Sequence, residues 1–362
     1  MRLLHLSLRN YRNYSRLELT PGAGLNVFLG RNGQGKTNLL EAVALLALSS
    51  SPRARRDSEL IGPLVTEARI EARIEAGGRQ IEVVYSVARG DGERTRRAIA
   101  VNGVARRAVD LPGHFRVVLF WPDDLSLVKA GPEHRRRLLN QLLVQVLPGH
   151  ARALARYARV LEQRNSLLKQ VAAGEQRSEA LDVWDEELAR LGCEIAAARA
   201  EVVLEMSRQA GSQHPRLAAG EPLDLRYVGP PDDLLAAVQK SRPEDLRRGV
   251  TTLGPHRDDV EVMLAGRDAR AFASQGQQRS AVVSLKLAEA AIIGSRTGEP
   301  PTLLLDDVLS ELDPDRRLAL LDRVGEQEQV IITSVEAGPF PQGSMARAVV
   351  RRIEAGRVED CG

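Results

Sequence analysis

Apolar and polar residues alternate near the N-terminus of the chain, and short apolar runs recur toward both of its ends. Leu4, Leu6 and Leu8 alternate with polar residues, and so do Leu17 and Leu19. This period of two is that of a half-buried β-strand. Further strands are predicted over 69–76, 80–87, 99–101, 330–333 and 349–358.

Two turn sequences divide these predicted strands into hairpins. Asn102-Gly103 follows the strand at 99–101, and this dipeptide is the strongest short hairpin signal. Glu354-Ala355-Gly356 interrupts the last apolar run in the same way. We therefore expect both ends of the chain to be rich in strands.

The middle of the chain has a different pattern. Between about Leu125 and Arg248, long tracts rich in Ala, Leu, Arg, Glu and Gln follow the helical period. Breaks are expected near Pro148-Gly149 and Gly174, and no heptad repeat is sustained long enough for a coiled-coil arm. The tracts predict three helices, over 134–146, 151–173 and 179–209. The sequence thus predicts an α/β lobe from both chain ends, 1–124 and 246–362, with a compact helical lobe inserted at 125–245.

The stretch 30–37, GRNGQGKT, fits the phosphate-binding template G-x-x-x-x-G-K-[ST]. A short apolar strand is predicted before it and an amphipathic helix after it, as the template requires. Such a loop turns several backbone N–H groups toward a phosphate at a helix N-terminus. Lys36 would reach the β- and γ-phosphates, and the Thr37 hydroxyl would ligate Mg²⁺. The motif predicts binding of a nucleoside triphosphate.

A second apolar run, 302–305, ends in two acids. Asp306 stands where a carboxylate can help to hold Mg²⁺ at the carboxyl end of a parallel strand. Asp307 would then face the γ-phosphate and could orient or deprotonate the attacking water. The alternative is a strand that ends in a solvated acidic turn, and the presence of the P-loop disfavours it.

Two further segments flank this strand. The sequence Ser274-Gln275-Gly276-Gln277-Gln278 opens a helical run and resembles the signature motif of the ATP-binding-cassette ATPases. Residues 310–313, SELD, resemble their D-loop. In those enzymes two nucleotide domains enclose two ATP molecules, and each P-loop faces the signature helix of the other subunit. The resemblance implies that Ser274, Gly276 and Gln277 contact the ATP held by a second copy.

Nearly the whole chain resembles the RecF family of bacterial recombination mediators. Residues 8–14, LRNYRNY, are similar to the family's N-terminal strand, and 33–42, GQGKTNLLEA, to its extended Walker A motif. The blocks that have no general nucleotide-binding explanation are 122–137, which runs from Pro122-Asp123-Asp124 to three arginines, and 254–259, GPHRDD. One departure from the transporter ATPases is that Thr333-Ser334 replaces the usual switch histidine, so slow hydrolysis is expected.

The resemblance implies a slow, DNA-stimulated ATPase with ATP and Mg²⁺ as cofactors. It also implies a homodimer that forms on ATP, binds double-stranded DNA and single/double-strand junctions at gaps, and acts with RecR and RecO to load a recombinase. The implied catalytic residues are Lys36, Asp306 and Asp307, and Thr37 and Asp306 are the implied Mg²⁺ ligands. The nucleotide contacts it implies are Arg12, Gly30, Asn32, Gly33, Gly35, Lys36, Thr37, Asn38, Ser274, Gly276 and Gln277.

Basic residues are numerous but balanced, since 51 Lys and Arg face 48 Asp and Glu. Most are arginines, which bind phosphates in a two-pronged manner without reading sequence. Clusters occur at 53–56, 94–97, 106–107, 135–137 and 247–248, and any one of them could simply be a solvated face. The DNA-binding candidates are Arg94, Arg96, Arg97, Arg135, Arg136 and Arg137.

Other reactive residues receive ordinary interpretations. Cys193 and Cys361 are far apart in the sequence and in unlike surroundings, so they do not suggest a metal site. Two thiols without a leader sequence fit a cytoplasmic protein. No apolar run is long enough to span a membrane. His256, inside the 254–259 block, has either a structural or a ligand-linked role. His114, His134, His150 and His214 are interpreted as surface or helix-face residues.

Three alternative functions remain open at this point. A transporter-type ATPase subunit would show a switch histidine and a shorter, uninterrupted domain. A chromosome-organising clamp would show long coiled-coil arms. A metabolite kinase would lack the Ser274 motif.

Overall fold

The computed structural model describes residues 1–90, 94–218, 220–325, 327–338, 340 and 348–361. The strands are β1 Arg2–Tyr11, β2 Tyr14–Leu19, β3 Gly24–Leu29, β4 Glu67–Ala76, β5 Arg79–Arg89, β6 Thr95–Val101, β7 Val104–Arg106, β8 Val117–Phe120, β9 Leu223–Val228, β10 Asp259–Leu264, β11 Arg267–Asp268, β12 Thr302–Asp306, β13 Gln329–Ser334, β14 Val349–Glu354 and β15 Arg357–Asp360. The α-helices are α1 Lys36–Leu48, α2 Ser126–Lys129, α3 Pro132–Val146, α4 His150–Ala172, α5 Asp182–Gln213, α6 Leu234–Arg248, α7 Ala269–Phe272, α8 Gln275–Thr297 and α9 Pro314–Gly325. Short 3₁₀ turns lie at Asp57–Leu60, Ala108–Asp110, Pro122–Leu125, Ser178–Leu181, His214–Arg216 and Val308–Glu311.

A mixed sheet of order β15-β14-β3-β13-β12-β8 draws its strands from both chain ends. The pairings β14–β3, β3–β13, β13–β12 and β12–β8 are all parallel. Their carboxyl ends therefore meet at one edge, which is where open α/β sheets bind ligands. The P-loop follows β3 at this edge, and the acidic pair ends β12 there.

An antiparallel sheet of order β2-β1-β4-β5-β6-β7 forms a second layer. The predicted hairpin at Asn102-Gly103 is confirmed, because both residues have positive φ, 50° and 74°, and they join β6 to β7. Such angles are those of the two-residue turn that matches strand twist. The hairpin at 354–356 is confirmed in the same way, with Ala355 and Gly356 at φ 47° and 75°.

The two faces of the mixed sheet bury two different cores. Phe28, Leu304 and Ile331 point toward α1 and the antiparallel sheet, so α1 is enclosed between two sheets. Val27 and Ile332 point to the other side, against α8 and the helices that pack on it. Because successive strand residues point to opposite faces, a near-continuous apolar strand is needed here, as in parallel sheets covered on both sides.

The helices predicted at 134–146, 151–173 and 179–209 correspond to α3, α4 and α5, with ends that differ by four residues or fewer. Helices α4 and α5 pack with α6, α3 packs against α4 and α5, and none of the three forms a long arm. The sequence did not predict β9, which lies within the otherwise helical 125–245 segment. Strand β9 pairs antiparallel with β10 from Asp259↔Val228 to Leu264↔Leu223. This small sheet joins residues on both sides of the boundary that we propose at 245/246 between the helical lobe and the α/β lobe.

A buried guanidinium holds the helical lobe together. Arg164 of α4 is fully buried and donates to Asp185 of α5 at 2.6 Å and to Asp245 of α6 at 2.7 Å. It also donates to the Thr251 hydroxyl at 2.8 Å, in the segment after α6. Arg242 pairs with the second oxygen of Asp185. Losing one partner of such a buried set costs on the order of 3–5 kcal/mol because a charge is left unpaired.

Burial excludes the surface alternative for two of the histidines and leaves the helix-face one. His150 and His214 are 2% and 0% exposed, so neither is a surface residue. His256 is held between the Tyr157 hydroxyl at 2.7 Å from Nδ1 and the Thr251 carbonyl at 3.0 Å from Nε2. A carbonyl only accepts, so Nε2 carries the proton and Nδ1 accepts from Tyr157. These contacts support the structural role of His256.

His150 should make folding sensitive to acid. Burial lowers its pKa from 6.5 to about 4, and the nearby Arg199 charge acts in the same direction. Below about pH 6.5 the unfolded chain protonates His150 more readily than the folded chain does. The stability associated with the neutral, buried imidazole is therefore present above that pH and is lost below it. We expect His150 to contribute about 2 kcal/mol to the loss of unfolding free energy between about pH 7 and pH 5. Urea unfolding at both pH values measures it.

The variant His150→Gln should show a correspondingly weaker pH dependence, whatever its absolute stability. His134→Gln, at a side chain 39% exposed, is the matched control for replacing a histidine by glutamine. Equal pH dependence in wild type and His150→Gln would contradict the assignment.

Candidate functional site

The loop between β3 and α1 curls back on itself at two glycines. Gly33 and Gly35 have φ of 81° and 117°, a conformation that side chains other than glycine rarely adopt. The Lys36 ammonium donates to the Gly30 and Arg31 carbonyls at 2.6 and 3.1 Å. Burial lowers the pKa of Lys36, while the charges of Asp307 and Asp306 act in the opposite direction. The cationic end of the side chain is thus held inside the loop.

Two distant turns support this loop from behind. The Asn13 amide and the Gly356 N–H both donate to the Gln34 carbonyl, at 2.9 and 3.0 Å. The Ala355 N–H donates to the Gln34 side chain at 2.7 Å, and the Tyr14 hydroxyl donates to the Gly35 carbonyl at 2.9 Å. Sequence reasoning missed the part that 355–356 plays here, because no local signal links that turn to residue 34.

The geometry brings together the two residues expected to bind a metal. The Thr37 hydroxyl donates to Asp306 Oδ2 at 2.8 Å, across 269 residues of sequence. The Thr333 hydroxyl donates to the other oxygen, Oδ1, at 2.6 Å, and so fixes the carboxylate. Hydroxyl and carboxylate oxygens suit Mg²⁺, which usually takes one or two protein side chains and completes its shell with water and substrate phosphates. These donors fit that ion.

Asp307 is held in a strained conformation beside this pair. Its φ of 52° is left-handed, which is uncommon outside glycine. Its N–H donates to both the carbonyl and the hydroxyl of Thr333 at 3.2 Å. Its Oδ1 is buried and has no hydrogen-bond partner among the described residues. Burial raises the pKa of this carboxyl, which increases its capacity to accept a proton.

Arg12 reaches the site through a fully buried carboxylate. It donates to the two oxygens of Glu41 at 2.9 and 2.7 Å. The Ser51 hydroxyl donates to Glu41 as well, at 2.5 Å. Burial alone would raise the pKa of Glu41, but the hydrogen bonds from Arg12 and Ser51 outweigh it and hold the pKa below its usual value. Glu41 therefore stays ionised and positions Arg12.

Asn32 lies in the loop between β3 and α1, and Asn38 lies in the first turn of α1. Asn38, directly after Thr37, donates to Asn13 Oδ1 at 2.8 Å and accepts from Arg53 at 3.0 Å. Asn32 is exposed on the loop. The Arg53 contact was not foreseen from the sequence.

The signature residues form a capped helix start on the surface. Ser274 accepts from the Gln277 N–H at 3.3 Å, and the Gln277 side chain accepts from the Ser274 N–H at 2.7 Å, which is a complete capping box. Gly276 lies against Arg316, whose nearest nitrogen would be 2.9 Å from an added Cβ. Arg279 donates to the Glu311 carbonyl at 2.7 Å, so the signature helix and the 310–313 segment contact each other.

The six arginines chosen as DNA-binding candidates lie in unlike environments. Arg135 is 6% exposed, pairs with both oxygens of Asp259 at 2.7 and 3.0 Å, and donates to the Leu127 and Ala130 carbonyls. A guanidinium used in this way cannot also reach a phosphate, so the structure argues against Arg135 as a DNA ligand. Arg136 donates to the Asp258 carbonyl at 2.7 Å.

The other candidates are more accessible. Arg94 and Arg96 are exposed. Arg97 lies on the opposite face of β6 from Arg96, pairs with Asp57 at 2.7 Å and donates to the Ser49 carbonyl. Arg137 is exposed and donates to the Pro52 carbonyl at 2.6 Å.

The cysteines Cys193 and Cys361 are free and exposed. Across the described ranges, no helix is both long and apolar enough to cross a membrane. Among the same residues, no group of three or more His, Cys, Asp or Glu is placed to hold a metal ion.

The parallel sheet, the P-loop and the paired Thr37 and Asp306 define a P-loop ATPase of the ABC and SMC-head class, which confirms the predicted fold class. A family model described as the RecF/RecN/SMC N-terminal domain matches residues 2–355. The chain also resembles a solved SMC head bound to the C-terminal winged-helix domain of ScpA, with a TM-score of 0.56 over 100% of this chain and 97% of the other. At 16% identity that likeness shows the fold alone.

Full-length relatives narrow the class. The DNA replication and repair protein RecF of Heliobacterium modesticaldum is 42% identical over 370 residues and 99% of each chain. Its counterpart in Symbiobacterium thermophilum is 43% identical over 93% of this chain and 92% of its own. A solved structure of the recombination mediator RecF with ATP, from the RecFOR pathway, matches with a TM-score of 0.90 at 29% identity, covering 99% and 97% of the two chains. This chain belongs to the RecF family of DNA replication and repair proteins.

The buried environment of Arg135 leads to a stability prediction. Arg135→Gln should lower the free energy of unfolding by about 3 kcal/mol, at the low end for a broken buried pair because Asp259 is partly exposed. Arg94→Gln removes the same charge from an exposed site and should change it by about 0.5 kcal/mol or less. Urea unfolding of both variants tests this. A loss in Arg135→Gln no larger than in the control would count against a structural role.

Proposed function

We propose that the protein is an ATPase in which the P-loop and the acidic strand end bind one Mg·ATP. The observation that carries the proposal is the contact between the Thr37 hydroxyl and Asp306 at 2.8 Å. Two oxygens from opposite ends of the chain, which would ligate the ion, thereby lie together beside a loop of the anion-binding type. The Mg²⁺ ion would neutralise phosphate charge when bound. The comparison with an ATP-bound RecF supports the same assignment.

The chain's own residues suggest how hydrolysis would proceed. Lys36, already directed into the loop, would exchange its two carbonyl partners for phosphate oxygens. Arg12, Asn32 and Asn38 would contact the nucleotide around the cradle. Asp307 would accept a hydrogen bond from the attacking water through its unpartnered Oδ1, and its raised pKa favours taking up the proton. Thr333, which orients Asp306, occupies the neighbourhood where transporters place a histidine.

Two substitutions separate binding from chemistry. Lys36→Ala should abolish measurable ATP affinity, because the charge partner of the phosphates is lost. Asp307→Asn should leave affinity nearly intact and slow hydrolysis by about two decades or more, the contribution of a positioned base. Calorimetric titration and single-turnover hydrolysis measure the two effects. If Asp307→Asn hydrolyses ATP at the normal rate, the base that activates the water would instead be Glu311 or a group from a second copy.

We further propose that ATP binding joins two copies of the chain. The exposed helix start at Ser274 offers N–H groups and the positive end of α8 to an anion. Residues in the first turns of α8 contact Glu221, Arg316 and the Glu311 carbonyl of the same chain. Its outer side would receive the γ-phosphate held by the Lys36 of a second copy.

Ser274→Arg tests this shared site. The bulky side chain should block the opposing phosphate, so ATP-induced dimerisation and hydrolysis should fail while ATP binding to the chain's own P-loop survives. Light scattering with ATP, with ADP and without nucleotide measures whether the protein is a monomer or a dimer. ADP should leave the wild type monomeric because it lacks the bridging phosphate. Dimerisation of Ser274→Arg on ATP would rule out the mechanism and leave the P-loop assignment intact.

We infer from membership of the family that the dimer acts in the cytoplasm on duplex DNA and on single/double-strand junctions at gaps, with RecR and RecO as partners. Exposed arginines would bind the phosphate backbone, so binding should be sensitive to salt and nearly independent of sequence. DNA should in turn stimulate the slow ATPase. A chromosome clamp remains the second candidate because the fold is shared with SMC heads. The compact helical lobe favours the mediator.

A further inference from the structure

The segment 49–57, between α1 and the 3₁₀ turn at Asp57–Leu60, has hydrogen bonds in three directions. Arg97 of β6 pairs with Asp57 at its end and donates to the Ser49 carbonyl at its start. Arg137 of α3 donates to the Pro52 carbonyl at 2.6 Å. The segment therefore lies where the antiparallel sheet meets the helices, and it brings together three arginine clusters that are far apart in sequence.

The third direction leads to the nucleotide site. The Ser51 hydroxyl donates to Glu41 Oε1 at 2.5 Å, and Glu41 holds Arg12. The Arg53 guanidinium donates to Asn38 at 3.0 Å, one residue after Thr37. Ser51 also organises the segment itself, because its oxygen accepts from the N–H groups of Arg53 and Ala54 at 3.0 and 2.8 Å. A shift at Glu41 or Asn38 would thus move the backbone that carries the exposed arginines.

Exposed arginines are concentrated on this segment, at Arg53 and Arg55, and Arg97 and Arg137 contact it from neighbouring elements. The carboxylates beside them are Asp57 and Glu59 in the chain, and Asp123 and Asp124, which line one pocket with Pro52 and Arg137. The Arg97 guanidinium neutralises Asp57. The Glu59 carboxylate accepts from the backbone N–H groups of Arg55 and Arg56. Arg55 is exposed near the middle of the group. Clustered guanidinium groups suit a phosphate backbone.

We propose that residues 49–57 form a phosphate-binding surface for duplex DNA centred on Arg55, and that Ser51 couples ATP binding to it. The proposal rests on the proposed ATPase and DNA-binding function and adds to it a location and a coupling residue. Arg55 contacts DNA, whereas Ser51 acts as a positioning residue through Glu41. Because coupling between two ligands is reciprocal, DNA bound at this surface also changes affinity for ATP.

The location is tested by two matched substitutions. Arg55→Gln should lower duplex affinity about tenfold near physiological salt and reduce the slope of log K against log salt by about 1. Arg79→Gln removes the same charge from an exposed position at the start of β5, at the other end of that strand from Val87, which pairs with Arg97. It should have little effect on either quantity. Fluorescence anisotropy with one short duplex across a salt series measures both. Equal losses in the two variants, or none in Arg55→Gln, would overturn the location.

The coupling is tested at two adjacent serines. Ser51→Ala removes the hydroxyl between Glu41 and the segment without replacing any P-loop residue or any arginine. Ser50→Ala is the control, since among the described residues its hydroxyl makes a single contact, at 3.4 Å with the Leu48 carbonyl. Duplex affinity is measured for each protein with and without ATP, and ATP affinity with and without duplex. Ser51→Thr keeps a hydroxyl and should restore wild-type behaviour.

In the wild type and in Ser50→Ala, ATP should raise duplex affinity by a factor within the 5–150-fold range of ordinary couplings. In Ser51→Ala that factor should fall to about twofold or less, while duplex affinity without ATP stays at the wild-type level. Full coupling in Ser51→Ala would refute its role. No ATP effect in the wild type would instead refute the proposed function itself.

Hydrogen exchange of the wild type provides a measurement independent of whether Ser51→Ala folds. Backbone amides of residues 53–54, which donate to Ser51, should change their protection when ATP is added, and those of the β6–β7 hairpin should not. Unchanged exchange at 53–54 on ATP binding would overturn the coupling.

Discussion

The parallel pairing of β3 with β13 is the constraint on which the rest of the structure depends. Its register, from Gln329↔Gly24 to Ser334↔Leu29, places the end of the P-loop strand beside the end of a strand that follows 305 residues later. Strand β12 then aligns on β13, with Asp306 opposite Thr333. Each of these strands is apolar on both faces, so the sheet forms only when helices cover both sides. The contact between Thr37 and Asp306, the proposed Mg²⁺ ligands, is a consequence of that burial.

Much of this arrangement could be predicted because it is encoded locally. The P-loop, the acidic strand end and the hairpin at Asn102-Gly103 each occupy a few contiguous residues, and each requires particular residue types for steric or electrostatic reasons. Long amphipathic tracts also identified α3, α4 and α5. The family blocks at 122–137 and 254–259 added the relationship to RecF, which the full-length relatives confirm.

What could not be predicted depends on contacts across long stretches of sequence. Arg135 stands in a run of three arginines that looks solvated, yet it is buried against Asp259, 124 residues away. The position of β9 was missed because its alternating pattern is short and lies among helices. Charge clusters do not reveal which guanidinium groups are already paired, and only the fold separates Arg96 from Arg97 on the two faces of one strand. The exposed helix start at Ser274 was predicted, but its contact with Arg316 was not.

The turn at Ala355 and Gly356, which holds Gln34, has a consequence for how the protein is made. The P-loop is synthesised early, but one side of its support is contributed by the last hairpin of the chain. During translation the glycine-rich loop therefore lacks this side of its support until residues 349–356 leave the ribosome. Nucleotide binding then marks a chain whose two ends have met, and a truncated product lacking that hairpin would be distinguishable by its failure to hold ATP firmly.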